Sequence, residues 1–98
     1  MSDSSSFGEV RAELNKRELG KAQIETAIGV MLSARNLKLD TPIIWREDTE
    51  RDVFTLEATI CGVSRHWILV GEAIEDYVSD LNARQTVDFN LASHFLPR

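Results

Sequence analysis

Apolar residues recur along this chain with two different spacings, and the switch between them marks out its elements. Phe7, Val10 and Leu14 stand at i, i+3 and i+7, with Glu9, Arg11, Glu13 and Lys16 around them. That is the stripe of an amphipathic helix. Ser6 with Glu9 three residues later fits a capping box. The Ser-rich residues 1–6 ahead of it read as a disordered tail, and residues 7–98 as one domain. A stronger stripe of Ile24, Ala27, Ile28 and Met31, edged by Leu32 and Arg35, predicts a helix over residues 21–35. It should end at Asn36, a residue type that tolerates the left-handed conformation. Gly20 lies between the stripes and leaves open two helices or one kinked helix.

Pro42 forbids helix continuation, and Ile43, Ile44 and Trp45 are strand formers. The polar residues 46–52 read as a loop or hairpin turn. Residues 53–61 alternate cleanly: Phe54, Leu56, Ala58 and Ile60 on one side, Val53, Thr55, Glu57, Thr59 and Cys61 on the other. A turn over residues 62–64 and a partner strand over 65–70 complete an antiparallel meander of about three strands. After Gly71 the period returns to 3.6, with Ala73, Ile74, Tyr77, Val78 and Leu81 on one stripe. Residues 82–85 read as a break. Residues 86–96 fit both periods, and Asp88 as an N-cap with Pro97 as a stop favours a short helix. The expected fold class is α+β: a small antiparallel meander packed with N-terminal and C-terminal helices.

The chain has 98 residues, 28% of them charged, with a net charge of -5. The acidic excess falls wholly in residues 41–98, because the first forty balance. Such a surface disfavours duplex nucleic acid and anionic membrane, which select clustered Lys and Arg. No apolar run approaches a membrane span, and the N-terminus lacks the pattern of a signal peptide, so a cytoplasmic location is expected. A single cysteine allows no intrachain disulfide and no Cys-based zinc cluster. A small core leaves a narrow stability margin, which a homodimer contact would widen.

Few residues invite chemistry. Cys61 and His66 flank the expected turn, where a tight hairpin would set them opposite each other as thiol and base. No third group or oxyanion donor accompanies them, and a lone strand cysteine is ordinarily a small hydrophobe. His66 and His94 lack metal-site spacing, and no phosphate loop, dinucleotide fingerprint or nucleophile elbow is present. Neither a cofactor nor a metal is expected. Glu72, Glu75, Asp76 and Asp80 form an acidic helix patch, and Glu47, Asp48, Glu50 and Asp52 a second cluster. Their plain role is solubility; their sharper role is to dock a basic protein partner. Trp45 and Trp67 are expected in sheet packing.

Residues 53–77, VFTLEATICGVSRHWILVGEAIEDY, resemble a family of short bacterial domains of unknown function. The shared layout is an alternating strand, a Gly turn at Gly62, a second strand, and a helix opening with Glu72, Ala73, Ile74, Glu75 and Asp76. The helical residues 7–36 depart from that family. The resemblance implies an uncharacterised α+β protein and supplies no active site. Together these features favour a noncatalytic interaction or regulatory protein, with Glu72, Glu75, Asp76 and Asp80 as partner-binding residues. An acidic inhibitor of a nucleic-acid-processing complex and a Cys/His-dependent enzyme are the alternatives.

Overall fold

The computed structural model describes the backbone of residues 3–97 and the side chains of residues 16–97. The expected tail at 1–6 starts outside the described residues, and the Ser6–Glu9 capping box falls where no side chain is described. One unbroken helix, α1 (Asp3–Ala34), replaces the two-or-kinked alternative. It passes through Gly20 because glycine is required there by packing, not by a bend. A Cβ at Gly20 would press against the Ile74 carbonyl oxygen and sit 2.8 Å from Ile74 Cγ2. The helix ends as expected at Asn36, whose φ is 56°. Leu37 N–H donates to the Leu32 carbonyl at 2.9 Å and Asn36 N–H to Ser33 at 3.2 Å, a Schellman closure.

The sheet is an antiparallel meander of β1 (Ile44–Asp48), β2 (Val53–Ile60) and β3 (Val63–Val70), in that order. Two boundaries differ from the sequence reading. β1 continues to Asp48 through the polar residues assigned to a loop, because an edge strand with one open face tolerates Arg46, Glu47 and Asp48. The turn is confined to residues 49–52, where the Asp48 carboxylate accepts from Glu50 N–H at 3.2 Å and Arg51 N–H at 3.3 Å. The second hairpin is tighter than expected. Cys61 leaves the strand and forms a two-residue turn with Gly62, at φ 50° and 80°, and Ile60 pairs directly with Val63. Two consecutive positive φ values match the primed turn that the strand twist favours.

Helices α2 (Gly71–Ser79) and α3 (Leu81–Asn90) follow, and a π-helical turn, Leu91–Phe95, extends α3. The break falls at Asp80, not at residues 82–85, and Asp88 is not the N-cap. Asp80 is: its carboxylate accepts from Asn82 N–H at 2.9 Å and Ala83 N–H at 3.3 Å. Of the two readings for residues 86–96, helix is the one realised.

Helices before and after the sheet pack on one of its faces. Phe54, Leu56, Ala58 and Ile60 from β2 meet Ile24, Ile28 and Leu32 from α1, Ile74 and Tyr77 from α2, and Val87, Leu91, Phe95 and Leu96 from the C-terminal helices. Each such side chain contributes roughly 1.5–3 kcal/mol by leaving water. Arginines close the helix ends. Arg84 donates to the Tyr77 and Val78 carbonyls at 3.0 and 3.1 Å, capping α2. Arg65 donates to the carbonyls of Phe95 at 2.7 Å, His94 at 3.1 Å and Leu96 at 3.4 Å, capping the π turn. Among the described residues no helix is long and apolar enough to cross a membrane.

Candidate functional site

The alternation that buries one side of β2 leaves the other side of the sheet without a covering layer among the described residues. Antiparallel register sets the rows of this open face: Ile44, Glu57 and His66; Arg46, Thr55 and Ile68; Asp48, Val53 and Val70. Ile44, Ile68 and Val70 are each about half exposed, Ile68 the most at 59%. Arg46 Nε donates to Glu57 Oε2 at 2.7 Å, and this bond raises the Arg46 pKa. A hollow of about 280 Å³ at the first row is lined by Thr41, Ile44, Glu57, Thr59, Ser64 and His66. Beyond the third row stand the exposed Glu50 of the turn and Glu72 of α2.

The four acidic residues of the predicted patch differ in their bonding partners. Glu75 accepts from Arg17 Nε at 2.6 Å, and the same guanidinium donates to both Asp52 carboxylate oxygens, at 2.5 and 3.0 Å. One arginine from α1 thereby clasps the β1–β2 turn and α2. These hydrogen bonds raise the Arg17 pKa and hold the Asp52 carboxyl below its ordinary value. Gly71 makes room for the clasp: a Cβ there would lie 2.6 Å from Asp52 Oδ1 and 2.8 Å from Arg17 Nη1. Asp80 is held by its capping bonds. Glu72 is exposed and Asp76 half-buried, and neither has an ion-pair partner among the described side chains.

The expected opposition of Cys61 and His66 does not occur. His66 pairs across the hairpin with Glu57, four residues from Cys61, or about 13 Å along the strand. Cys61 is exposed in the turn, and its sulfur accepts from Lys38 N–H at 3.4 Å. His94 stacks on Trp67 with ring centroids 5.4 Å apart and planes 3° from parallel. Trp45 Nε1 donates to Glu25 at 3.1 Å, tying β1 to α1. Among the described residues no three His, Cys, Asp or Glu side chains are grouped to hold a metal ion. Tyr77 donates to Asp88 Oδ1 at 2.6 Å, and burial together with that bond raises its pKa.

Sequence reasoning named Asp52 within the second acidic cluster but missed its pairing with Arg17, whose 35-residue separation leaves no local signature. It also missed the exposure of Ile68 and Val70. The unbroken run Trp67-Ile68-Leu69-Val70 has the look of a strand buried on both faces. Comparison with protein-family models, with curated proteins and with solved structures finds nothing that matches this chain.

Proposed function

We propose that this chain is a noncatalytic module that binds a protein partner on the open face of its sheet. One observation carries the reading: a β-sheet face presents Ile44, Ile68 and Val70 to solvent, and among the described residues no layer lies over it. Grouped exposed apolar side chains on a rigid element are the usual make-up of an interface centre. The carboxylates of Asp48, Glu50 and Glu72 at one end favour a partner whose apolar strip is bordered by Lys or Arg. The narrower alternative, an inhibitor filling a basic groove, needs a continuous acidic face. With Glu75 and Asp80 bonded within the chain, the acidic helix offers only Glu72 and Asp76.

The test compares two double variants in capture from nuclease-treated lysate of the native host. Ile68→Asp with Val70→Asp should abolish capture while circular dichroism and melting temperature hold, because both positions are exposed. Glu72→Gln with Asp76→Asn should weaken capture modestly, more at low salt than at high. Loss of the partner only in the carboxamide pair would move the interface to the acidic helix.

A further inference from the structure

The geometry points to a second surface: the outer face of the helical layer is a contact between two copies of this chain, formed by antiparallel pairing of α1 with its symmetry mate. Along α1, Leu19, Gln23, Thr26 and Val30 are spaced four, three and four residues apart, a heptad-like seam turned away from the core stripe of Ile24, Ile28 and Leu32. Leu19 is 49% exposed and Val30 64%. The 4-3-4 spacing reads the same in both directions. A two-fold axis between Gln23 and Thr26 therefore sets Leu19 against the second copy's Val30, and Gln23 against its Thr26. That is the self-complementarity an isologous interface requires.

Two further observations favour a second copy as the occupant. The first is charge. In a chain with 28% charged residues and a net charge of -5, two copies repel across most of their surfaces. Between Ala22 and Ala34 the only charged residue is Glu25, and it is bonded to Trp45 on the sheet side. On α3, Arg84 is spent on the α2 carbonyls and Asp88 on Tyr77. From Leu19 to Val30 the seam itself carries no charge, and Lys16, one turn before it, falls opposite the second copy's Ser33, so the pairing sets no like charges against each other. The second is the groove beside the seam, about 430 Å³, lined by Leu19, Ala22, Gln23, Thr26, Tyr77 and Arg84. The Gln23 amide oxygen is buried there and has no hydrogen-bond partner among the described residues. Rotated outward, that amide meets the second copy's Thr26 hydroxyl.

The seam from Leu19 to Val30 runs about 18 Å and, with the groove beside it, gives a face about 20 Å wide, on the order of 360 Å² in plan. A stable interface takes about 800 Å² from each partner, so the dimer should be a weak one, with Kd on the order of 10–100 µM.

Sedimentation equilibrium of the full chain, from about 5 µM to about 1 mM to bracket that Kd, tests the inference. The mass should rise from 11.1 kDa toward twice that value. Higher salt should tighten association by screening the like net charges. Val30→Arg should weaken it at least tenfold while leaving circular dichroism and melting unchanged. A wild-type chain that stays monomeric throughout would overturn the inference. So would a dimer insensitive to Val30→Arg, and if Ile68→Asp with Val70→Asp then dissolved it, the contact would lie on the open sheet face.

Discussion

Two glycines in one helix give the sharpest test of the packing, because the same substitution should act with opposite sign at each. Alanine is favoured over glycine in a helix by about 1 kcal/mol, so Gly20→Ala starts with a local gain. Its new methyl would nonetheless press on the Ile74 carbonyl oxygen and lie 2.8 Å from Ile74 Cγ2 and 3.1 Å from the carbonyl carbon. Backbone cannot swing aside as a flexible side chain would, so α2 must retreat by about 1 Å. Retreat loosens the fully buried Ile74 and Ile24 and the nearly buried Tyr77. Overpacking of this kind costs typically 1–3 kcal/mol, and a backbone collision belongs at the upper end. Against the local gain the net loss is about 2 kcal/mol, a fall in melting temperature of roughly 8–16 °C for a domain of this size. Gly29→Ala meets nothing within 4 Å and should gain about 0.5–1 kcal/mol, a rise of roughly 2–8 °C. Thermal and urea denaturation at low micromolar concentration, where self-association does not enter, reads both. A Gly20→Ala protein as stable as wild type would refute the close α1–α2 approach.

Arg17→Met should cost about 1–2 kcal/mol, chiefly by leaving the part-buried Glu75 without its donor. Because Arg17 depresses the Asp52 pKa, that group's stabilisation is complete above the unfolded value, near pH 4, and is lost as pH falls through the depressed one. Urea midpoints measured against pH should therefore fall less steeply below about pH 4 in the variant than in wild type. Tyr77 has the opposite sign: its raised pKa gives stability present below about pH 10 and lost as pH rises beyond it. Tyr77→Phe should remove that alkaline loss while costing about 1 kcal/mol at neutral pH, measured by the same midpoints. Cys61→Asn should gain about 0.5–1 kcal/mol, since asparagine suits φ 50° at the first position of a primed turn. A lower melting temperature for this variant would mean that the Lys38 contact to sulfur outweighs the backbone term.

What was legible in the sequence is what depends on period. The alternation of Phe54, Leu56, Ala58 and Ile60 and the stripe of Ile24 and Ile28 each bury one side of one element, so the α+β architecture and most of the core follow from local pattern. Boundaries failed where one side chain had two credible local roles. Asp80 could be an exposed helix carboxylate or a cap, and sequence cannot rank them because the choice depends on where Tyr77 and Val87 are buried. Arg46, Glu47 and Asp48 resemble a loop, yet an edge strand with one open face accepts them. The clasp of Arg17 on Asp52 and Glu75 was illegible for a different reason. It joins three elements distant along the chain, and only their packing brings the charges within bonding distance.

The fate of the charged side chains also changes what the acidic composition means. Arg17, Arg65 and Arg84 are engaged in closing turns and helix ends. Asp40 accepts from Gly62 N–H at 2.6 Å, Asp48 orders its turn and Asp80 caps a helix. Carboxylates that accept from backbone N–H groups through one oxygen are fixed in place by those bonds and keep the second oxygen for other donors. Part of the acidic composition therefore serves local structure. On the proposed reading, recognition falls to what the described residues leave uncovered, an apolar sheet face at one side and the helical seam at the other. Since these surfaces lie on opposite sides of one core, a pair of copies joined through the helices would present two open sheet faces pointing outward. Each sheet's partner could then bind without displacing the second copy, and bivalent display would raise the avidity of a modest single site.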